Sequence, residues 1–247
     1  MRGAPLSGRP PRATPLRVEI SAVSVGTGAR IRADPVPSLR PCDALAMRVD
    51  REQRRFGRRM FGETPLVMVE DTASLEKVVA ELLKCPIIGV DTEADSFHHY
   101  QEKLCLVQVS DATRDYIIDP LKIEDFSSLG TLLEDRNVVK ILHGGDYDVV
   151  SLKRDHGINI QNIFDTMIAA QFLGLPRFGL ADLIKRFFGH TIDKKYQRHD
   201  WASRPLFPEH LDYARGDTHF LIALREVLQL KLKRAGRLAA HEEECRI

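Results

Sequence analysis

Beyond residue 64 the apolar positions fall into two kinds of pattern. Short runs bounded by turn residues read as strands: "PLVMVED" at 65–71, "PIIGVD" at 86–91, "KLCLVQVSD" at 103–111, "RDYIIDP" at 114–120 and "NVVKILH" at 137–143. The turn-forming "DATR" between the third and fourth predicts a hairpin. Between these runs the apolar residues recur at helical spacing. In "TASLEKVVAELLK" Leu75, Val78, Val79, Leu82 and Leu83 share a face, and Asp71 stands where it can cap the first turn. A second helix is predicted around "FSSLGTLLED". After the fifth strand the chain reads as almost all helix, over about 146–156, 166–173, 180–188 and one long segment from about 208 to 235. Strands first, then alternation, then helices, predicts an α/β fold: a mixed β-sheet flanked by helices, with a helical C-terminal half.

Residues 1–59 break the pattern. They hold thirteen Arg, no Lys, five acids and seven of the thirteen prolines, with no sustained period. That is a net +8, which leaves −7 for the rest of a chain whose total is +1. We read 1–62 as a disordered Arg/Pro-rich extension, 63–235 as the folded domain and 236–247 as a tail whose "HEEEC" is solvated. A basic arm that grips nucleic acid is the other reading of the head. Its acids are too many for a transit peptide. No apolar leader core and no run of about eighteen apolar residues is visible, so neither a signal peptide nor a membrane span is expected. Four scattered cysteines, none in C-x-x-C, argue against zinc and against a disulfide framework. Cys85 and Cys105 read as core thiols, and a reducing cytoplasm fits.

The chemistry concentrates at strand ends. "IIGVDTEADSF" runs from a buried strand into acids at Asp91, Glu93 and Asp95. Strand positions i and i+2 share a face, so Asp91 and Glu93 project together. Two adjacent carboxylates repel unless a cation lies between them, and a hard divalent ion with oxygen ligands resolves the conflict. In "VVKILHGGDYDVVSL" a strand, a Gly-rich turn and a helix follow one another. Asp146 reads as an N-cap, and Asp148 lies in the first turn, where the helix dipole favours an anion. In "HLDYARGDTHFLIAL" Tyr213 and Asp217 are four apart on one helical face, and Asp212 reads as a solvated charge. Four carboxylates and a tyrosine suit a site for phosphodiester cleavage, in which two Mg²⁺ ions about 3.5–4 Å apart clamp the attacking and leaving oxygens. The histidines, among them His98, His99, His143, His190 and His199, lack a helical metal spacing, and His143 reads as structural.

From about residue 64 to 230 the chain resembles the DEDD superfamily of 3′–5′ exonucleases, in its ribonuclease D branch. The resemblance rests on "VDTEAD", "HGGDYDVVSL" and "YARGD" in order, joined by "SFHHYQEKLCLVQVSD", "IFDTMIAAQFLG" and "GLADLIKRFFGHTIDKKYQRHDWASRPL". It implies a ribonuclease H-like fold, with Asp91, Glu93, Asp148 and Asp217 as ligands of two divalent ions, Mg²⁺ or Mn²⁺. A tyrosine four positions before the last aspartate marks the tyrosine subclass; the histidine subclass carries its histidine five before, where this chain has Asp212. Tyr213 would then orient the attacking water, its ordinary pKa of about 10 making it a poor base. The resemblance also implies nucleic-acid contacts at Gln108, Lys194, Gln197 and Arg198. Lys194 reads equally as simple surface exposure, and Trp201 is expected to be core packing. Ribonuclease D proteins carry helical HRDC domains after the nuclease, and none is read here.

The function expected from these residues is metal-dependent 3′–5′ trimming of single-stranded RNA ends, such as tRNA precursors, by a monomer without membrane contact. A single-stranded DNA exonuclease would use the same carboxylates, and only contacts to the 2′-hydroxyl would separate the two. A binding module on the same fold is the third reading; its mark would be a lost ligand, and none is lost.

Overall fold

In the computed structural model, residues 64–95 and 102–246 are described. The Arg/Pro-rich head, Cys42, His98 and His99 lie outside them. The chain enters with β1 (Leu66–Val69) and α1 (Thr72–Leu82), then runs through β2 (Ile87–Ala94), β3 (Leu104–Ser110) and β4 (Asp115–Ile118). Next come α2 (Ser127–Glu134), β5 (Val139–Leu142), α3 (Asp146–His156) and β6 (Ile163–Asp165). The remainder is helical: α4 (Thr166–Phe172), α5 (Leu180–Phe188), α6 (Pro208–His219), α7 (Leu221–Arg234) and α8 (Leu238–Glu244).

The six strands form one mixed sheet in the order β1-β4-β3-β2-β5-β6. The expected hairpin joins β3 and β4, antiparallel, with Ser110 opposite Asp115. β2 pairs antiparallel with β3 and parallel with β5, which places it at the centre. Alternation then divides the core. Ile88 and Val90 pack with Leu75, Val79 and Leu82 of α1 and Leu129 and Leu132 of α2 on one face. On the other, Ile141 of β5 joins Ala169, Leu183, Leu221 and Leu224 of α4, α5 and α7. Leu106 of β3 and Ile117 of β4 meet Trp201 and Ala214 there, so Trp201, 1% exposed, is the core residue expected. Asp71 caps α1, accepting from Ser74 N at 2.8 Å.

Gly89 shows why a small residue precedes Asp91 by two. A Cβ there would meet the Thr218 carbonyl oxygen at 3.0 Å and Leu221 Cβ at 3.3 Å. The end of α6 can therefore lie directly on β2, over the same face as Asp91 and Glu93.

Four expectations need correction. A sixth strand, Ile163–Asp165, pairs with β5 in a stretch between two expected helices where no strand was read. Three residues are too few to carry a readable period. The long helix over 208–235 is two helices, because Phe220 (φ −92°, ψ −7°) ends α6 and begins α7. Its ring is buried against Phe188 and His190, at 5.9 and 5.1 Å between centroids. The tail is folded: His241 of α8 is fully buried, with Nε2 2.8 Å from the Asp165 carbonyl oxygen, and Cys245 packs beside it. The folded unit thus runs past residue 235. Finally, Asp146 is the first residue of α3 and not its cap; Gly145 takes the cap position with no side-chain bond.

Candidate active site

The central strand delivers the first two acids. β2 leaves regular pairing between Glu93 and Ala94, and up to that point Asp91 and Glu93 face α6. From α6, one helical turn apart, come Tyr213 and Asp217. Carboxylate oxygens of Asp91, Glu93 and Asp217 lie within 4.8 Å of one another. Asp148, on the first turn of α3, stands outside that triad, and its Oδ1 accepts from Thr92 Oγ1 at 2.5 Å. Thr92 points away from the triad by strand alternation, so one strand end presents acids to α6 and a hydroxyl to α3. Asp95, the third acid of the run, is buried and bonded to Lys103 N at 2.8 Å, apart from the cluster.

Burial raises the pKa of all four acids, and charge from their neighbours in the cluster adds to it at Asp91, Glu93 and Asp217. Burial and the charges of Asp148, Asp217 and Glu93 push Asp91 well above the usual carboxylate range, and burial with Asp217 and Asp148 does the same to Glu93. Burial raises Asp148 to about 6 against the Thr92 hydrogen bond, and raises Asp217 to about 7 with help from Asp148. No Lys or Arg ion pair relieves them among the described residues. The donor set is all oxygen, crowded and anionic, and so fits a hard divalent cation. Tyr213 is pushed up by burial and then by Asp217, Glu93 and Asp91, so it stays a protonated donor. That agrees with an orienting role and not with a base.

A crevice of about 360 Å³ opens on the triad, lined by Asp91, Glu93, Tyr213 and Asp217 together with His143, Lys194 and Gln197. Lys194 and Gln197 of the segment between α5 and α6 therefore lie beside the acids on the crevice wall. Arg198, three residues before Trp201, is exposed and lies off the crevice wall. Gln108 must be corrected: it is 0% exposed and cannot touch a nucleic acid directly. Its strand position was read rightly, but α6 covers it.

Asp165 escaped sequence reasoning, while His143 was read as structural. Asp165 caps α4 through Met167 N and Ile168 N, at 2.7 and 3.0 Å, and also accepts from Gly145 N at 2.9 Å, which seats the start of α3 and hence Asp148. His143 Nδ1 lies 2.9 Å from Thr166 Oγ1, whose proton goes to the Leu142 carbonyl oxygen at 3.0 Å. Nδ1–H is therefore the donor, and Nε2 is left as an acceptor. Burial lowers His143 to about 4, against the charge of Asp165, and keeps it neutral. The "FDT" run at 164–166 was the available signal for Asp165, since Asp before a helical period is a cap.

Residues 66–233 match the family model described as 3′-5′ exonuclease. The chain belongs to this family. It is 36% identical over 181 residues to the exosome complex exonuclease RRP6 of Saccharomyces cerevisiae, a match covering 73% of this chain and 25% of that protein. The Escherichia coli RNase D structure superposes with a TM-score of 0.70 at 32% identity, over 74% of this chain and 49% of that one. Brucella melitensis NrnC with bound Mg²⁺ superposes with a TM-score of 0.63 at 27% identity, over 73% of this chain and 88% of that one. The chain spans about a fifth to a quarter of the length of the curated relatives it matches. The ribonuclease D-like assignment and the mixed-sheet architecture expected from the sequence both stand.

Proposed function

We propose that this exonuclease-family chain removes nucleotides from the 3′ ends of single-stranded RNA by hydrolysis, with Asp91, Glu93, Asp148 and Asp217 holding two divalent ions, Mg²⁺ or Mn²⁺. The observation that carries this reading is the triad of acids within 4.8 Å, set in a crevice, with no Lys or Arg ion pair to any of the three among the described residues. Divalent ions bound there would activate a water and stabilise the leaving oxyanion. The protein supplies the rest. β2 and α6 hold the acids on rigid elements, within the tolerance an in-line displacement needs. Their raised pKa values mean that loading releases protons as the carboxylates ionise. Tyr213 donates its O–H to orient the nucleophile, Lys194 takes a phosphate of the strand entering the crevice, and Gln197 offers an amide to base or sugar.

RNA is preferred to DNA because the E. coli relative is described as an exoribonuclease involved in structured RNA processing and the yeast relative as an exosome exonuclease. Trimming of tRNA and other RNA precursors by a monomer in a reducing cytoplasm fits the free cysteines Cys85, Cys105 and Cys245. Among the described residues no helix is long and apolar enough to cross a membrane.

The test is a gel assay on 5′-labelled single-stranded RNA and matched DNA, with Mg²⁺, Mn²⁺ or EDTA. A metal-dependent ladder shortening from the 3′ end, faster on RNA, is expected. A faster ladder on DNA replaces the substrate assignment, and no ladder from folded protein under either metal sinks the reading.

A further inference from the structure

Gln108 lies at the middle of β3, fully buried, and neither its Oε1 nor its Nε2 has a hydrogen-bond partner. Native proteins leave few buried amides in that state. What surrounds it narrows the explanation. On one side its register partner is Ile117, which is apolar. Along β3 the same face carries Leu106 and Ser110. Leu106 is apolar, and Ser110 Oγ is engaged with Asp115 and Thr218, each at 2.7 Å. Above lies the stripe of α6 that carries Ala214 and Thr218. On the remaining side, directly opposite in register, is Asp91. Directly opposed residues of an antiparallel pair hold their Cβ atoms about 4.5–5.5 Å apart, within reach of a glutamine side chain.

We propose that Gln108 is a positioning residue for the metal centre: when Asp91 ligates a divalent cation through one carboxylate oxygen, Gln108 Nε2 donates to the other and fixes the carboxylate's orientation. This rests on the exonuclease reading above. Gln108 does not line the crevice, so its action passes through Asp91 and not through the nucleic acid. A neutral amide suits the place, because a cation there would neutralise Asp91 and compete with the metal. Hydrogen bonds of this kind to ligating groups typically change metal affinity 10–100-fold.

The variant Gln108→Met keeps the volume and removes both orphaned polar atoms. Unfolding is followed in EDTA, Mn²⁺ binding by titration calorimetry, and exonuclease rate against Mn²⁺ concentration. We expect a Tm in EDTA equal to or above wild type, Mn²⁺ binding weakened about 10–100-fold, and activity regained at raised Mn²⁺. Gln108→Asn, which retracts the amide by one methylene, weakens Mn²⁺ binding in the same direction. A lower Tm in EDTA, or failure to fold, with Mn²⁺ affinity of Gln108→Asn unchanged overturns the proposal and makes Gln108 a core residue. So does wild-type Mn²⁺ affinity in both variants. Wild-type protein that binds no Mn²⁺ overturns the exonuclease reading as well, so the two failures are distinct.

Discussion

Two acidic sites, one half-buried and one buried, lie under opposite flanks of α6, and they solve the same problem differently. At 3.6 residues per turn, Ala214 and Thr218 face β3, with Tyr213 and Asp217 about 100° to one side and Arg215 and His219 about 100° to the other. On the second flank Asp115 of β4 is 1% exposed, yet it accepts from Ser110 Oγ at 2.7 Å, Arg215 Nη2 at 2.6 Å and Nε at 2.9 Å, and it contacts His219 Nδ1 at 3.0 Å. Burial alone would raise it, but the bonds and charge of His219, then Ser110 and Arg215, hold it below the usual carboxylate range. On the first flank Asp91, Glu93 and Asp217 share a crevice and Asp148 stands beside them with Thr92 as its donor; no Lys or Arg ion pair reaches any of the four among the described residues, and all four are raised. One carboxylate surrounded by hydrogen-bond donors, Arg215 among them, is a fastening. Crowded acids with no such ion pair are suited to a divalent cation. The fastening holds the helix that carries Tyr213 and Asp217.

The comparison can be broken at either flank. Asp148→Asn should reduce exonuclease rate by roughly 10³-fold or more while leaving the metal-free fold intact, as read by gel assay and circular dichroism, because charge at the reacting centre is lost. An active Asp148→Asn would remove Asp148 from the site. Asp115→Ala should cost roughly 3–5 kcal/mol in urea unfolding, since it takes the buried carboxylate away from Arg215, whose side chain is 8% exposed. Loss of under about 1 kcal/mol would mean that α6 is fastened elsewhere. Tyr213→Phe should lower kcat by about 10–100-fold at unchanged Mn²⁺ affinity, because only the orientation of the nucleophile is lost.

A further effect concerns pH. Asp148 and Asp217, at about 6 and about 7 in the fold, keep protons that the unfolded chain releases near 4. Between about pH 4 and 7 the native state therefore binds more protons, and stability in EDTA falls as pH rises through that window. Excess Mg²⁺ should flatten the slope. A metal-free Tm that rises over the same range would show the acids ionised without help.

Much of this was legible in the chain. Strand alternation placed Asp91 beside Glu93, and the four-residue step placed Tyr213 beside Asp217, because both relations are local geometry. The hairpin at 111–114 and the Asp71 cap were legible for the same reason. The break at Phe220 carried no glycine or proline, and its cause is a ring packed against Phe188 and His190 far away in sequence. α8 looked solvated because three consecutive glutamates dominate it, yet His241 reaches the Asp165 carbonyl across 76 residues. Gln108 read as a polar strand residue free to meet substrate; only the passage of α6 over β3 buries it. Sequence by itself determined which residues could carry charge and which neighbours they shared within one strand or one helix. Tertiary structure decided which of those charges were neutralised. Neutralisation depends on partners such as Arg215 for Asp115, or on their absence around Asp91, and that is set by how helices cross the sheet.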